Sequence, residues 1–469
     1  MGRAIWWIRR DLRLADNQTL AEAIQHSQDV IPLFILDPYF VQKRSAYSRR
    51  RDFLFSGLHN LDASLTSIGG RLIIRRGKPI DVLAQIMSES GADGIFAEAD
   101  FSSYAIERDR KVAQSLPLKL AGSPSFHHPL DVVKADGSPY SVFTPYMKTW
   151  KNLHLPGRSD LIQVPKHINT PREITSEPLP EVIGSLKESP FPSGEVEATR
   201  RLELFTNGLN AGIYSYQDQR NRMDQDGTSF LSPYLRFGML SARKVIVAAG
   251  EAAQLAIDRE GENSADTWLN ELIWREFYIS ILYHFPEVSR HSFRPEMRHI
   301  RWRNDSAEFS AWRNGMTGYP IVDAGMRQLA AIGWMHNRAR MITASFLVKD
   351  LLVDWRWGEA YFMSQLVDGD PAANNGGWQW TAGTGTDAAP YFRIFNPVLQ
   401  GQKFDPHGIY IRKWVPELKN FPEEYIHQPW RMPELLQAKT GCRIGRDYPF
   451  PIADHHERRQ IALEIYKNG

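Results

Sequence analysis

The sequence predicts two domains joined by a long linker: a doubly wound α/β domain with a parallel sheet, followed by an all-helical domain. Three observations predict this division. Short β-rich runs alternate with amphipathic stretches at the start, prolines then recur while the periodicity fades, and the remainder has helical periodicity. The predicted boundaries are 1–130 for the α/β domain, 131–198 for the linker and 199–469 for the helical domain.

Four apolar runs, separated by amphipathic stretches, predict the elements of the α/β domain. The predicted strands are Ala4–Ile8, Val30–Leu36, Leu72–Arg75 and Gly94–Ala97. The predicted helices are Asn17–His26, Arg49–Ile68, Pro79–Ser90 and Tyr104–Ser115. An arginine-rich segment follows the first strand where a dinucleotide site would have a glycine-rich turn, so an ordinary site of that kind is not expected there.

Proline marks the linker, and helical periodicity marks the second domain. Prolines occur at 156, 165, 171, 178, 180, 190 and 192, which predicts a segment wrapped over the surface. The clearest predicted helices beyond it are Thr199–Asn207, Ser241–Asp258, Trp268–His284, Tyr319–Ile332, His336–Asp354 and Glu359–Leu366.

Composition limits the class of protein. The 469 residues are 42% apolar and 23% charged, as in an ordinary soluble protein, and no apolar run has the length of a membrane span. A single cysteine, Cys442, excludes an internal disulfide and a cysteine-rich metal site, and the histidines lack metal-ligand spacing. We therefore expect a cytoplasmic protein that binds no membrane and no metal. Because the net charge is only +2, binding to a polyanion must rely on a local patch.

Tryptophan is concentrated in one part of the chain: nine of the 14 indoles lie between Trp268 and Trp380. The densest segment, Asp368–Trp380, combines two aspartates, two asparagines and two indoles, and its Gly-Gly pair predicts a turn. Indole needs a partner for its N–H and stacks on flat heterocycles. This mixture predicts a site for a planar ligand with polar edges.

Two helical stripes mix charged and aromatic residues. The first consists of Trp268, Glu271, Trp274, Arg275 and Tyr278, at spacings of three and four. A buried Glu271–Arg275 ion pair among packing tryptophans explains this stripe as well as a ligand site does. A second stripe of similar chemistry favours the ligand site; its members are Trp334, Asn337, Arg338 and Met341.

A third motif, Asp224–Ser232, has the pattern of a turn that opens into a helix. Its hydroxyls and free backbone N–H groups would suit a phosphate, although simple helix capping is the commoner role of such residues.

Seven motifs resemble the photolyase/cryptochrome family, and within it the bacterial class I photolyases that repair cyclobutane pyrimidine dimers. They are Trp7–Leu14, Ser141–Tyr146, Gly227–Ser232, Trp268–Tyr278, Thr317–Asp323, Gly333–Arg338 and Asp368–Trp380. The resemblance runs essentially end to end. It implies an α/β antenna-chromophore domain and a helical catalytic domain that binds FAD and DNA.

FAD, in its reduced anionic form, is the cofactor that the resemblance implies. The residues assigned to it are Tyr216, Thr228, Ser229, Phe230, Leu231, Ser232, Trp268, Arg275, Arg340, Asp368, Gly369, Asp370 and Asn374. Within this set Arg340 would pair with Asp368. Asn374 would lie beside the flavin N5, where an amide can donate or accept a hydrogen bond.

The activity implied is light-driven DNA repair, in which a flipped-out dimer receives an electron from photoexcited reduced FAD, splits into two pyrimidines and returns the electron. Catalytic roles fall on Glu271, Asn337, Met341 and Asn374. The residues assigned to DNA are Arg220, Glu271, Trp274, Asn337, Arg338, Trp380 and Gln400. Trp378, Trp355 and Trp302 match the family's electron-transfer relay, with Trp302 at the solvent end.

A second, light-harvesting chromophore is also implied, at Phe34, Asp37, Asp100 and Tyr104. Members that bind folate resemble one another in an Asn-Glu pair where this sequence has Tyr104 and Ala105, and in a lysine where it has Arg290. A deazaflavin or a second flavin is therefore favoured over folate, and an unfilled cleft stays an alternative.

Two rival functions stay open. A cryptochrome-like blue-light sensor would use the same flavin and tryptophans without repair, and a (6-4) photolyase would need histidines that face the lesion. The presence of Glu271, Trp274, Asn337 and Trp380 favours dimer repair. A flavoprotein that transfers electrons without light is a third alternative. The expected partner is DNA that contains cyclobutane pyrimidine dimers, and we expect a monomer with no obligate protein partner.

Overall fold

The computed structural model describes residues 2–41, 48–184 and 189–468. A parallel sheet with helices, followed by a helical remainder, confirms the predicted fold class. The chain divides into two compact units. Unit 1 comprises Met1–Gln217 and Ser229–Pro286, and unit 2 comprises Asp218–Thr228 and Glu287–Gly469. The units separate at other positions than the domain boundaries predicted above, and those boundaries stay a prediction.

Unit 1 contains a five-stranded parallel sheet in the order β3-β2-β1-β4-β5. The strands are β1 Arg3–Ile8, β2 Asp29–Leu36, β3 Ile73–Arg76, β4 Gly94–Ala97 and β5 Leu118–Leu120. Ile5 of β1 is in register with Ile31 and Ile95 on its two sides, and all three side chains are buried. Four strands were predicted within one residue of their ends, whereas the short β5 was missed.

The helices of unit 1 lie between its strands and after the last strand along the chain. They are α1 Gln18–His26, α2 Pro38–Val41, α3 Ser48–Ser67, α4 Pro79–Ser90, α5 Ser103–Ala113, α6 Phe143–Asn152, α7 Glu195–Thr206, α9 Ser232–Phe237, α10 Ala242–Leu255 and α11 Arg259–His284, with α8 Tyr216–Gln219 at the unit boundary. Helix α6 lies inside the segment predicted as linker. Helix α11 begins nine residues before the predicted start at Trp268, because Asp258 caps it by accepting from the Gly261 N–H at 2.8 Å.

Unit 2 is helical. Its helices are α12 Ser306–Arg313, α13 Pro320–Ile332, α14 Asn337–Ser345, α15 Trp355–Gln365, α16 Pro371–Ala382, α17 Pro397–Phe404, α18 Ile409–Trp414, α19 Glu423–Ile426, α20 Glu434–Thr440 and α21 His455–Asn468. The single helix predicted over His336–Asp354 is wrong, because α14 ends at Ser345 and passes into a π-helical turn, Phe346–Asp350. Within the described ranges, no helix has the length and apolar character of a membrane span.

The structure of unit 2 corrects two sequence interpretations, one at α16 and one just before α14. Gly376 and Gly377 were predicted to form a turn, yet both lie inside the helix. Asp370 caps its first turn by accepting from the N–H groups of Ala372 at 3.0 Å and Ala373 at 3.2 Å. Pro371 occupies the first helical position, where a backbone N–H would have no acceptor within the helix. The second correction concerns Trp334, which was placed on a helical stripe with Asn337 but precedes α14.

A close backbone approach at Gly238 joins the loop after β1 to the end of α9. Gly238 has a φ of 62°, and a Cβ atom there would lie 1.6 Å from the carbonyl oxygen of Arg10. The Leu12 N–H donates to the Phe237 carbonyl at 3.3 Å, and the Arg13 guanidinium donates to the Gly238 carbonyl at 3.1 Å. Only glycine fits this position without moving backbone.

We expect Gly238→Ala to destabilise the fold by about 3 kcal/mol or more, because it adds both backbone strain and a clash with the Arg10 carbonyl. Gly250→Ala is the matched control, since Gly250 lies inside α10 with open space around its Cβ position. Replacing that helical glycine should stabilise the protein by about 0.5–1 kcal/mol. Urea unfolding midpoints measure both changes. Equal midpoints for the two variants would contradict the close approach.

Candidate active site

Helix α16 presents Asn374, Trp378 and Trp380, and it packs closely against α15. Gly358 of α15 makes this approach possible, because a Cβ atom there would lie 2.1 Å from Cη2 of Trp378. The Phe362 ring meets the Trp378 indole edge to face at 4.9 Å. Trp378 is therefore buried and fixed, whereas Asn374 and Trp380 are partly exposed.

A polar network that sequence reasoning missed fixes the asparagines. The Asn374 Nδ2 donates to the backbone carbonyl of Glu359 at 3.1 Å, and the Asn375 Nδ2 donates to the Glu359 carboxylate at 3.1 Å. Asn375 and Gln379 both donate to the Val288 carbonyl at 3.0 Å. The i, i+4 spacing of Asn375 and Gln379 was visible in the sequence, but their partners are distant along the chain. The network orients the Asn374 amide through its nitrogen, and the amide oxygen takes no part in these hydrogen bonds.

An ion pair lies next to this helix. The Arg340 guanidinium of α14 contacts the Asp368 carboxylate at 2.8 Å, as predicted, and also donates to the Met335 carbonyl at 2.8 Å. Asp368 and Gly369 are buried. The predicted ligand Asp370 is engaged as the α16 cap through one of its oxygens.

Residues 228–232, predicted to hold phosphates, have an unusual backbone. Thr228 ends the short segment of unit 2, and its hydroxyl oxygen is buried with no hydrogen-bond partner among the described residues. Phe230 has a φ of 52°, which is uncommon for an aromatic residue, and such positions cluster at functional sites. Leu231 is buried, and Ser229 is partly exposed. Ser232 is exposed at the start of α9.

The first stripe lies along α11, as predicted. Trp268 is buried and packs on Phe205 at 5.1 Å, and Phe205 also meets the predicted ligand Tyr216 at 6.0 Å. The Arg275 guanidinium donates to the carbonyls of Pro124 at 2.7 Å and Leu235 at 3.3 Å. Those bonds tie α11 to two other segments of unit 1. Glu271 and Trp274 are partly exposed on the same helix.

Among the predicted DNA-binding residues of unit 2, Arg338 packs on Phe404 at the end of α17. The Arg338 guanidinium lies 4.4 Å from the Phe404 ring centre and donates twice to the Asn221 side-chain oxygen, at 2.6 and 3.1 Å. The Met223 N–H donates to the Phe404 carbonyl, which places the segment of Arg220 beside the end of α17. Gln400 lies one turn earlier on α17. Arg338 is thus held in place by two neutral side chains.

Asn337 and Met341 lie one turn apart on α14, with the Asn337 Nδ2 4.0 Å from the Met341 sulfur. Asn337 is exposed and Met341 is partly exposed, so both are accessible.

The three predicted relay tryptophans belong to one apolar cluster. Trp355 and Trp378 are each 2% exposed, and Trp302 packs against the same cluster while remaining partly exposed. Trp302 lies between the exposed Arg301 and Arg303. This gradient of burial is consistent with the predicted solvent end.

The predicted antenna residues lie at the carboxyl edge of the sheet. The Tyr104 hydroxyl donates to the Asp37 carboxylate, and the Tyr104 ring stacks on Tyr39 at 4.1 Å. Phe34, near the end of β2, is buried. Burial opposes the ionisation of Asp100, yet the Arg10 guanidinium, 3.7 Å away, holds the pKa of this carboxyl below its ordinary value. The structure thus brings Asp37 and Tyr104 into direct contact and pairs Asp100 with an arginine.

Comparison with known proteins agrees with this layout. Residues 4–166 match the family model described as DNA photolyase, and residues 268–468 match the FAD-binding domain of DNA photolyase. A deoxyribodipyrimidine photo-lyase of Alkalihalophilus pseudofirmus is 39% identical over 98% of this chain and 97% of its own length.

Solved structures of the same fold span the whole chain. A class III photolyase of Agrobacterium tumefaciens has a TM-score of 0.92 at 37% identity, covering 100% of this chain and 98% of its own. A Synechocystis cryptochrome has a TM-score of 0.89 at 30% identity, covering 99% of both chains. An archaeal photolyase of Sulfolobus tokodaii with two FAD molecules has a TM-score of 0.81 at 32% identity, covering 100% of both. The fold and these matches therefore define the class of this protein: an α/β domain combined with a helical flavin-binding domain. The chain belongs to the DNA photolyase family, which confirms the resemblance.

The network around Glu359 predicts a pH effect on stability. Burial raises the pKa of the Glu359 carboxyl from 4.5 to about 7. The folded chain therefore holds this proton more tightly than the unfolded chain. The resulting stabilisation of the fold is complete below about pH 4.5 and is lost as the pH rises through about 7. Glu359→Gln keeps an acceptor oxygen for Asn375 without the charge. We expect the two proteins to unfold at similar temperatures at about pH 5, and the variant to be more stable at about pH 8 by up to about 3 kcal/mol.

Thermal unfolding followed by circular dichroism measures this difference. Glu296→Gln, at an exposed position, is the matched control and should show no pH-dependent gain. A constant difference between Glu359→Gln and the unchanged protein across this pH range would contradict the assignment.

Proposed function

We propose that this chain is a light-dependent DNA repair enzyme, a deoxyribodipyrimidine photo-lyase acting on cyclobutane pyrimidine dimers. The observation that carries the proposal is the end-to-end similarity to a protein of that name, at 39% identity over 98% of this chain. The local geometry supports it, because charged, amide and aromatic residues of the required kinds occupy the matching positions.

FAD fits the residues assigned to it. The Thr228 hydroxyl is a buried polar atom with no hydrogen-bond partner in the described part of the chain, and hydroxyls with free N–H groups suit phosphates. Tyr216, Ser229, Phe230, Leu231, Ser232, Trp268, Arg275, Arg340, Asp368, Gly369, Asp370 and Asn374 would complete the set. When bound in its reduced form, FAD supplies the electron for ring splitting. The Asn374 amide, with its Nδ2 engaged by Glu359, would direct its oxygen and its second N–H toward the flavin.

We assign the substrate contacts to side chains that match the family motifs. Glu271 and Asn337 would hydrogen-bond the pyrimidine edges, Trp274 and Trp380 would contact the ring faces, and Met341 would pack beside them. Glu271 would also stabilise charge that develops on the dimer. In unit 2, electrons would pass inward from solvent through Trp302, Trp355 and Trp378. The partial exposure of Trp302 and the burial of Trp355 and Trp378, each 2% exposed, support this direction.

Antenna binding at the sheet edge forms part of the proposal. Asp37, Tyr104, Phe34 and Asp100 supply aromatic and acidic groups that suit a planar chromophore, and a flavin or deazaflavin is favoured over folate. The Sulfolobus tokodaii photolyase, with its two FAD molecules, supports a flavin.

His336 bears on the (6-4) alternative, which needs a histidine able to move a proton at the lesion. His336 is 4% exposed, and its Nδ1 accepts from the Arg338 N–H at 3.1 Å. Burial, helped by Arg338 and Arg340, lowers the pKa of His336 to about 4. A buried imidazole that so rarely holds a second proton is poorly suited to protonate a lesion, which favours repair of cyclobutane dimers.

A direct repair experiment tests the proposal. The purified chain, loaded with FAD and chemically reduced, should restore intact thymines in an oligonucleotide with one cyclobutane dimer under blue light and not in the dark. An oligonucleotide with a (6-4) photoproduct is the control substrate and should stay unchanged. If neither lesion is repaired under illumination, the cryptochrome-like sensor replaces the enzyme; repair of the (6-4) lesion alone would assign that activity instead.

DNA binding should depend on salt through Arg338. We expect Arg338→Ala to weaken damaged and undamaged DNA alike and to lower the slope of log affinity against log salt by roughly one unit, because one phosphate contact is lost. Arg356→Ala is the matched control: Arg356 is exposed on α15, and Asp354 already engages its guanidinium at 2.5 Å. Fluorescence anisotropy over a salt series measures both. An unchanged slope in Arg338→Ala would move the proposed contact to the Arg298–Arg303 cluster.

A further inference from the structure

The indole of Trp274 has one face covered by another aromatic ring. Phe143, at the start of α6, stacks on it with ring centres 3.7 Å apart and planes only 7° from parallel. Phe277 meets Trp274 edge to face at 5.6 Å. The Tyr278 ring also packs on Trp274, at 5.6 Å and tilted by 35°. Trp274 is nonetheless partly exposed, and this exposed surface lies away from the face that Phe143 covers.

Phe143 owes its place to the anchoring of α6 on α11. Trp150, seven residues and two turns further along α6, is fully buried, and its indole N–H donates to the Glu276 carboxylate at 2.7 Å. Tyr146 packs on Phe277 at 5.2 Å between these two contacts. Helix α6 thus contacts α11 through Trp150 at Glu276 and through Phe143 at Trp274, so the bond to Trp150 helps to fix where Phe143 meets the indole.

Glu276 acts as a structural anchor. Its carboxylate is 3% exposed and also accepts from the backbone N–H groups of Phe126 and His127. Three donors from two segments therefore converge on one buried acid. An ion pair between Lys151 and Asp266 also fastens the end of α6 to α11.

We propose that Phe143 is a positioning residue: it fixes the plane of Trp274 so that the opposite indole face receives one pyrimidine ring of the lesion. This inference rests on the proposed function, because it assigns Trp274 to the substrate. A loose indole would have to be ordered when the base stacks, whereas one held by Phe143 is already ordered. The damaged bases are already poorly stacked in DNA and gain the most from such a surface. Phe143 should therefore affect recognition of damage and leave general affinity for DNA unchanged.

The test compares substitutions at Phe143 in the full chain with FAD bound. Phe143→Leu removes the ring but keeps an apolar side chain, Phe143→Met does the same with less branching, and Phe143→Tyr keeps the ring. Phe53→Leu is the matched control, since Phe53 is a fully buried phenylalanine in another part of the unit 1 core. Dissociation constants for an oligonucleotide with one dimer and for its undamaged counterpart give the preference for damage.

We expect Phe143→Leu and Phe143→Met to lower the preference for damaged over undamaged DNA by about 3- to 10-fold, the range of an aromatic stacking contact. Phe143→Tyr should restore it, and Phe53→Leu should keep it. Repair yield of dimers already bound, measured with enzyme in excess, should change less than affinity. In protein labelled with 5-fluorotryptophan, the Trp274 resonance should shift in Phe143→Leu because the ring current of Phe143 is lost.

The outcomes separate this inference from the proposed function. If the unchanged protein shows no preference for dimers, the proposed function fails. If it prefers dimers and both ring-deleting variants retain that preference with normal FAD content, Phe143 has no positioning role. An equal loss of affinity for damaged and undamaged DNA, or an equal effect in Phe53→Leu, would also overturn the inference, since it would indicate a general loss of structure. If Phe143→Leu does not fold, Phe143→Met and Phe143→Tyr decide the question.

Discussion

The capped start of α16 is the constraint on which the candidate site of unit 2 depends. Two adjacent glycines weaken this helix by about 1 kcal/mol each relative to alanine, so capping and packing must compensate. Asp370 satisfies the first N–H groups, and at the other end the buried Lys349 ammonium donates to the Ala382 carbonyl at 3.1 Å. With both ends fixed, the helix holds Asn374 and Trp378 one turn apart on its surface. Gly377 also leaves open space beside the helix, since no atom lies within 4 Å of the position that a Cβ would occupy.

Helix α15 also relies on a glycine for close packing. Gly358 lets Trp378 approach its backbone, and Glu359, the next residue, reaches the asparagines of α16 with both its carbonyl and its carboxylate. Burying this acid is unfavourable, as its raised pKa shows, and a single hydrogen bond from Asn375 compensates only in part. A buried carboxylate of this kind fixes the positions of neighbouring side chains more than it stabilises the fold. Its cost to stability at neutral pH is the counterpart of a fixed Asn375 amide, whereas the Asn374 amide is held by the Glu359 backbone carbonyl.

Much of the fold could be predicted because local patterns determine it. Buried strands such as Val30–Leu36 are continuous apolar runs. The residue spacing along α11 is enough to predict that Glu271 and Trp274 share one face. The pairing of Arg340 with Asp368 was also predicted, but from family resemblance and not from pattern.

What could not be predicted depends on contacts between distant segments. Helix α6 was assigned to the linker because prolines dominate the region that follows, although the apolar spacing of Phe143, Tyr146 and Trp150 is helical. The turn assigned to Gly376 and Gly377 followed from a local rule that a cap and tertiary packing override. Glu276 and Glu359 were missed for a third reason. A glutamate on a helix reads as a solvent-exposed residue until its buried partners are known.

The two units hold their working side chains by similar means. In unit 1 the carboxylate of Glu276 gathers N–H groups from segments 126 or more residues away in the chain; in unit 2 the fully buried carboxylate of Asp323 accepts from Thr317, Gly318 and Tyr448. Each acid fixes backbone that side-chain packing alone would leave adjustable. The aromatic contacts build on this frame: Phe143 lies flat on Trp274, and Phe404 lies under Arg338. Both accessible groups are thus ordered before any ligand arrives, so less conformational entropy is lost on binding. Under the proposed function, ordered groups would distinguish two cross-linked pyrimidines from a large excess of normal DNA better than mobile ones, because a mobile group could adapt to either.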